Sequence, residues 1–232
     1  MTDNRAMTTK DRILDAAERS FANHGFEGAS IRAIVMDAGV NLASIHYHFR
    51  SKEALLEAVL TRRISIVNDE RMRRLRASEA AAAPHPPSVE EILRAFIVPT
   101  VEFAQRDKSG ATFVQLMSRM FTEPRFSLTD FLGRKFGDTI GHFSAALVRA
   151  LPRLPRDIVL WRAFFTIGAM HHLLCSPGKI DLLAKGLRRS TPIGEMTQYL
   201  IEYSAAGMCA ANTATDIEVK THKKSDHSRR HK

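Results

Sequence analysis

Apolar residues recur every three or four positions through most of this chain, which is the spacing that places side chains on one face of an α-helix. No segment alternates apolar and polar residues as a half-buried strand would. The sequence therefore predicts an all-α fold. The predicted helices cover Thr9 to His24, Ile31 to Ala38, Leu42 to Phe49, Lys52 through Ile64 and beyond, Val89 to Gln105, Thr112 to Phe121, Phe126 to Leu151, Arg156 to Cys175 and Ile193 to Ala211.

Polar cap residues mark where four of these helices begin. Ser30, Asn41, Ser51 and Ser88 each stand directly before a segment with helical periodicity. Their side-chain oxygens are suited to accept a hydrogen bond from the first N–H groups of a helix. Gly25 is expected to end the first helix as a C-cap. The helix after Ser51 is expected to be long and to fade through an Arg-rich stretch, 71–76, into a linker at 80–87.

The net charge of the chain indicates which chemical class of partner it binds. The chain of 232 residues has a formal net charge of +9 and a pI near 9.9, which favours an anionic partner. Residues 1–55 contain seven Lys or Arg and seven Asp or Glu, so the net charge of this segment does not itself support nucleic-acid binding. The excess lies in the larger C-terminal part and in a Lys-, Arg- and His-rich tail, 213–232, which we expect to be disordered.

Cysteine content and hydropathy indicate a cytoplasmic protein without a membrane partner. Cys175 and Cys209 are too few for a disulfide framework, and residues 1–10 lack the apolar region of a secretory signal. The longest central segment without a charged residue, Ala163 to Gly178, is too short and too polar for a bilayer. We interpret it as part of a buried helix.

Residues 30–49 have the pattern of a helix, a tight turn and a second helix. Gly39 tolerates the positive φ of a sharp turn, and Ile34 and Ile45 are placed to face each other across it. This arrangement is typical of a DNA-binding helix-turn-helix, whose second helix enters the major groove. The candidate DNA-binding residues are Ser30, Arg32, Asn41, Leu42, Ala43, Ser44, His46, Tyr47, His48 and Lys52.

The same segment is similar to the N-terminal domain of TetR-family transcriptional regulators. The resemblance covers roughly Thr9 to Leu60 and is carried by a set of motifs: Ala38-Gly39-Val40, Tyr47-His48-Phe49, Ser51-Lys52-Glu53 and Leu55-Leu56. It implies a homodimeric DNA-binding regulator, a repressor that binds an inverted-repeat operator in double-stranded DNA and is released by a small apolar ligand. A fainter resemblance of 88–93 and of the recognition helix to regulators of fatty-acid oxidation suggests an acyl-type ligand.

This chain departs from the family pattern at three positions. His46 stands where many members have Tyr, Val35 where Ala is usual, and Arg50 where Pro or Gly is common. Three other residues have an alternative structural interpretation. Tyr47 and Phe49 also suit a core, and Lys52 also suits the solvated first turn of a helix.

Aromatic and methionine residues are concentrated in the C-terminal part, where they would either form plain core or line an apolar cavity. The candidate ligand-binding residues are Phe96, Thr100, Phe103, Met117, Arg119, Met120, Phe121, Phe131, Trp161, Phe165 and His171. Arg119 is the predicted partner of an acidic group on the ligand, and its alternative is a surface pair with Glu123. Small residues in the last two helices, such as Gly168 and Gly207, favour close helix packing across a dimer.

The expected organisation is a helix-turn-helix domain at 1–54, a ligand-binding and dimerisation domain at 55–212 and the basic tail at 213–232. No phosphate-binding glycine loop, Gly-x-Ser-x-Gly motif or paired carboxylates are present, and His171 with Cys175 lacks further metal ligands. We therefore predict no enzyme activity, cofactor or metal. The rival interpretation is a non-regulatory α-helical module that binds protein or lipid, and sequence-specific duplex binding would discriminate between the two.

Overall fold

The computed structural model describes residues 7–121, 123–175 and 191–212, and these ranges contain nine helices and no strand. The all-α prediction is confirmed. The predicted tail at 213–232 lies outside the described residues. The helices are α1 (Thr9–Gly28), α2 (Ile31–Ala38), α3 (Leu42–Phe49), α4 (Lys52–Ala82), α5 (Val89–Gln105), α6 (Lys108–Met120), α7 (Leu128–Ala150), α8 (Arg156–Cys175) and α9 (Ile193–Cys209).

Helix α1 runs one turn further than its sequence pattern predicts. Its backbone breaks at Gly25, where φ is 71° and ψ is −178°, and the helix then resumes to Gly28. The glycine therefore bends α1 instead of ending it. This bend places the last turn of α1 beside α4 and α6, where it receives contacts from both helices.

The turn between α2 and α3 has the predicted form. Gly39 adopts the left-handed conformation with φ 61° and ψ 42°, and the Asn41 side chain accepts a hydrogen bond from the Ser44 N–H at 2.9 Å. Ile34 and Ile45 are both buried. The prediction for Ser30 is only half right. It occupies the position before α2 with extended backbone, but its hydroxyl makes no capping bond.

Arg50 forms a tight turn between α3 and α4. The Ser51 N–H donates to the Phe49 carbonyl at 2.6 Å, and Arg50 between them has φ 60° and ψ −42°. A γ-turn with positive φ is rare and strained for a residue that carries a Cβ. Ser51 then caps α4 through the Ala54 N–H, as predicted.

The C-terminal helices keep most of their predicted bounds. Ser88 and Glu91 form a reciprocal capping box at the start of α5. Helix α6 begins four residues earlier than predicted because the Asp107 carboxylate accepts bonds from the Ser109 and Gly110 N–H groups. Gly110 also packs so tightly that a Cβ there would lie 2.1 Å from the Phe103 carbonyl oxygen.

Two hydrophobic cores hold the molecule together. The first joins α1, α2 and α3 to the N-terminal half of α4 and to buried residues of α6 and α7, including Leu116, Met120 and Phe131. The second joins the C-terminal half of α4 to α5, α7, α8 and α9. Packing therefore continues without a gap across the domain boundary predicted after residue 54, and α4 belongs to both cores.

Helix α8 corrects one prediction. The sequence suggested that it is buried, but only Val159, Thr166 and Met170 on it are buried, while Trp161, Phe164 and Phe165 are exposed. Within the described residues, α8 is the one helix that is long and apolar enough to cross a membrane. Only 17% of its most apolar 18-residue stretch is buried. Its outer apolar face is therefore not covered by the other described residues.

Candidate DNA-binding surface and ligand cavity

Helix α3 presents most of its predicted DNA-binding residues to solvent. Leu42, Ala43, His46, Tyr47 and His48 are exposed, whereas Phe49 is buried and belongs to the core. Tyr47 is 84% exposed, and its ring lies edge-on to the His48 ring, with 5.0 Å between centroids. An aromatic side chain this exposed is available to a ligand outside the chain, because the core does not use it.

Three predicted contacts also have roles within the fold. The Asn41 carboxamide oxygen accepts from both the N–H and the hydroxyl of Ser44. The Lys52 ammonium donates to the Glu27 carbonyl at 3.1 Å and lies 4.8 Å from the centre of the Phe26 ring. Lys52 therefore stabilises the last turn of α1. An ammonium has three donors, so this bond leaves Lys52 able to hold a phosphate as well. Ser30 and Arg32 are exposed.

Ion pairs within the fold involve several of the acidic residues in the formally neutral segment 1–55. Asp15 and Glu18 pair with Arg62 and Arg63 of α4, Asp37 pairs with Arg19, and Glu27 pairs with Arg125. Four acidic groups of this segment are thus paired with arginines, two of them (Glu27 and Asp37) at the exposed surface. Among the described residues up to position 55, the exposed cations without an ion pair to any described residue are Lys10, Arg12, Arg32 and Arg50. The surface available to a phosphate backbone is more positive than the formal charge suggests.

A cavity of about 140 Å³ lies between the C-terminal helices. Five of the predicted ligand-binding residues line it: Phe96, Thr100, Met117, Phe121 and His171. Its other walls come from α4 (Ile64, Val67, Asn68, Arg71), α6 (Phe113, Val114), α7 (Leu132, Phe136, Thr139, Ile140) and α8 (Ile167, Met170, Leu174, Cys175). The lining is mainly apolar with a few polar groups, which is the usual composition of a small-molecule site.

The other six predicted ligand residues lie elsewhere. Phe103, Met120 and Phe131 are buried in the first core, because the helical faces that carry them turn toward α1 and α4. Trp161 and Phe165 are 58% and 64% exposed on the outer face of α8. Arg119 donates to the Asn23 carbonyl of α1 at 2.9 Å, so its guanidinium points away from the cavity.

The cation of the cavity is Arg71, which the sequence analysis missed. Arg71 lies on α4 in an Arg-rich stretch that looks like a solvated helix surface. One signal was present, because the spacing Ile64, Asn68, Arg71, Leu75 follows the buried face of the helix. The guanidinium donates to the Phe96 carbonyl at 2.9 Å, to Asn68 Oδ1 at 3.0 Å and to Thr100 Oγ1 at 2.7 Å.

Two further polar groups line the cavity. The His171 ring packs against the Phe121 ring at a tilt of 47°, with 3.9 Å between centroids. Burial together with the neighbouring His172 lowers the pKa of His171, so the imidazole is neutral at pH 7. Its buried Nε2 has no hydrogen-bond partner among the described residues. Burial raises the pKa of the Cys175 thiol, which keeps it protonated. Within the described ranges, no group of three or more His, Cys, Asp or Glu side chains forms a metal site.

Helix α6 connects the cavity to the DNA-binding end. Phe113, Val114 and Met117 line the cavity, while Gln115 and Arg119 on the same helix hydrogen bond to Asn23 of α1. Just beyond α6, Glu123 accepts a bond from the Phe26 N–H at 3.2 Å. These contacts surround the break in α1 at Gly25. A shift of α6 caused by a ligand would therefore reach α1 directly.

Comparisons with known proteins agree with this architecture. Residues 13–59 match the model of bacterial regulatory proteins of the tetR family, and residues 94–207 match that of the tetracyclin repressor-like C-terminal domain. The HTH-type transcriptional regulator UidR of Escherichia coli strain K12 is 28% identical over 151 residues, which are 60% of this chain and 71% of UidR.

Two solved structures share the fold. The fatty acid degradation regulator FadR from Bacillus halodurans has a TM-score of 0.63 and 16% identity, covering 85% of this chain and 98% of its own. FadR from Bacillus subtilis, solved in complex with stearoyl-CoA, has a TM-score of 0.60 and 14% identity, covering 84% and 97%. Two family models that together match most of the chain, on a fold with a helix-turn-helix at one end, show that the chain belongs to the TetR family of DNA-binding transcriptional regulators.

Proposed function

We propose that this regulator is a homodimeric repressor that binds an inverted-repeat operator and leaves it when a small apolar molecule fills the cavity. The observation that carries the proposal is the position of α6, which lines the cavity with one set of side chains and binds α1 with another. A ligand shifts such an equilibrium only by its different affinity for the two states. In this proposal, the position of α6 differs between the DNA-bound and the ligand-bound state, so the ligand binds the two states with different affinity.

The exposed faces of α8 and α9 support the dimer. Leu160, Trp161, Phe164 and Phe165 project from α8, and Tyr199 and Tyr203 project from the neighbouring α9. A contiguous apolar surface of this kind marks an interaction site. A symmetric partner would bury both faces against their copies, which also accounts for the apolar composition of α8 without a membrane. The proposed cytoplasmic location follows from the same interpretation.

In this proposal, α3 reads bases with Leu42, Ala43, Ser44 and His46, and the surrounding groups hold phosphates. Exposure of Leu42, Ala43 and His46 supports the assignment, and Ser44 is half-buried beside them. Tyr47, His48, Ser30, Arg32 and Lys52 are placed around α3 as backbone contacts. Two such helices on a symmetric dimer require half-sites about one helical turn apart, or a multiple of it.

A ligand-release experiment tests the proposal. A duplex is first selected from a random pool, and compounds are then screened both for a rise in the melting temperature of the protein and for release of that duplex. Fatty acids, acyl thioesters and aromatic compounds are the natural first set, since the cavity is apolar and two fold neighbours are FadR regulators. A ligand at a hundred times its Kd stabilises the folded protein by about 2.7 kcal/mol. Compounds that bind without releasing the duplex would overturn ligand control.

A further inference from the structure

Arg71 is a half-buried cation without an acidic partner among the described residues. It lines the cavity and keeps part of its accessible surface, yet protein atoms surround the guanidinium closely enough that desolvation lowers the pKa of Arg71 to about 9. At neutral pH it is still a cation. Among the described residues, Arg71 forms no ion pair with Asp or Glu, whereas other arginines of α4, such as Arg63 and Arg74, have carboxylate partners.

The hydrogen bonds of Arg71 leave part of its guanidinium unused. A guanidinium has five N–H groups. Three of them donate to the Phe96 carbonyl, Asn68 and Thr100, and all three acceptors are neutral. One N–H on each terminal nitrogen has no acceptor within the described ranges. The group is held in place by neutral acceptors and by the Phe96 ring 3.8 Å away, and it retains a full positive charge and two donors.

The chemistry that completes this site is a carboxylate. A cation inside a protein is costly unless a counter-charge compensates it, and Arg pairs with a carboxylate through two parallel N–H donors. The imidazole of His171, whose Nε2 has no hydrogen-bond partner among the described residues, is a further polar group of the lining. Apart from these two side chains and the polar groups of Asn68, Thr100, Thr139 and Cys175, the lining is apolar, so a ligand with one polar end fits it.

The volume of the cavity limits how large the apolar end of the ligand can be. Its volume of about 140 Å³ is close to that of an engineered apolar cavity of roughly 150 Å³ that binds benzene. One aromatic ring or a chain of about six to eight carbons fits such a space. A full-length fatty acyl chain would extend beyond this space through the open side of the cavity.

We propose that the cavity binds a small monocarboxylic acid, with its carboxylate on Arg71 and a single ring or short chain among Phe96, Phe113 and Met117. The inference rests on the proposed ligand-controlled function and narrows its ligand. It also moves the acid-binding role from Arg119, which was predicted for it, to a residue on α4. Because α4 begins at Lys52 beside the DNA-binding surface, a ligand on Arg71 contacts the helix that joins the two ends of the molecule.

Calorimetric titration tests this site with matched ligands and matched variants. Phenylacetate and octanoate are the acids, and phenylacetamide and octanol are their neutral counterparts. Arg71→Met removes the cation and keeps the aliphatic stem. Arg76→Met makes the same change at an exposed position of the same helix. We expect wild-type protein to bind at least one acid about tenfold or more tightly than its neutral counterpart, the scale of a charge-assisted hydrogen bond.

Arg71→Met should remove that preference and leave binding of the neutral compounds within about twofold, while Arg76→Met should bind like wild type. Equal weakening of acids and neutral compounds by Arg71→Met would overturn the inference, because it would show a structural role. Acid binding that is no tighter than neutral binding in wild type would overturn it without any variant, which keeps the test decisive even if Arg71→Met fails to fold.

Release of a selected duplex separates this inference from the proposed function. If acids bind through Arg71 but the duplex stays bound, the site is supported and ligand control fails. If neutral compounds bind and release the duplex while acids do neither, ligand control is supported and the Arg71 site is overturned.

Discussion

At the scale of single residues, the structure gives several side chains a second role that sequence position does not reveal. Lys52 is the clearest example, since its ammonium binds the Glu27 carbonyl and also lies beside the predicted DNA surface. Tyr47 is the opposite case, because it is 84% exposed and contributes little to the core. Variants at these positions separate contributions to folding from contributions to DNA affinity.

Lys52→Ala should weaken binding to all duplexes by about the same factor and make the salt dependence shallower by roughly one unit, because one phosphate contact is lost. The hydrogen bond to Glu27 is lost as well, at a cost of about 1 kcal/mol in the free energy of unfolding. Fluorescence anisotropy over a salt series and thermal melting measure the two effects. Ser44→Ala is the contrasting variant, since it should change base preference and leave the salt slope unaltered. An unchanged salt slope for Lys52→Ala would leave Lys52 with only its structural role.

Arg50→Gly should stabilise the protein by about 1 kcal/mol, because glycine adopts φ 60° without the steric cost that arginine carries in this γ-turn. The expected rise in melting temperature is about 2 °C. Arg50→Ala is the control, since it removes the same guanidinium but keeps the Cβ and the strain. If both variants melt alike, the backbone of Arg50 is not strained. A fall in duplex affinity in both variants would identify the guanidinium as a phosphate ligand.

At the scale of the elements, local chemistry predicted where helices begin, and tertiary packing decided what their faces contact. Asn41, Ser51 and Ser88 act as predicted because a cap and its helix are neighbours in sequence. The start of α6 was missed because Asp107 was not recognised as its cap.

Helical periodicity also misassigned Trp161 and Phe165. It shows that a face is apolar, but it does not show whether a cavity, the core or a second chain covers that face. Arg71 was overlooked for a related reason, since its role depends on α5, 25 residues away at Phe96.

Gly110, where α6 packs against α5, is expected to be an exception to the usual helix propensities. Alanine normally stabilises a helix relative to glycine by about 1 kcal/mol, yet Gly110→Ala should destabilise the protein because its Cβ would lie 2.1 Å from the Phe103 carbonyl oxygen. Gly133→Ala on α7 is the matched control, since nothing lies within 4 Å of its Cβ position. Chemical denaturation should show opposite signs for the two variants. Stabilisation by Gly110→Ala would contradict the close packing of α6 on α5.

At the scale of the whole molecule, two hydrophobic cores that share α4 give the proposed ligand cavity a physical route to the distant DNA-binding surface. Helix α4 belongs to both hydrophobic cores, and the buried Glu18 of α1 pairs with Arg62 and Arg63 on it. The DNA-binding end is therefore not a loosely tethered module. In the proposed mechanism, movement of α4 or α6 would change the position of α1 and, through it, of α3.

The proposed dimer predicts a sharp effect of one substitution. Trp161→Glu should convert the protein from a dimer to a monomer, because a carboxylate would be buried at the centre of the α8 and α9 interface without a partner. Light scattering at micromolar concentration measures the mass. Leu42→Glu is the control, since it also replaces an exposed apolar residue but lies on α3, and it should stay dimeric. A monomeric wild-type protein, or an unchanged dimer in Trp161→Glu, would place the interface elsewhere.

Sequence-specific binding of a symmetric duplex is the most direct test of the regulator. Repeated selection from a random duplex pool should enrich an inverted repeat whose half-sites lie about one helical turn apart, or a multiple of it. In competition, the selected duplex should bind about a thousandfold or more tightly than a scrambled duplex of the same length at physiological salt. Failure to enrich any sequence, or equal affinity for selected and scrambled duplexes, would contradict a role as a sequence-specific repressor.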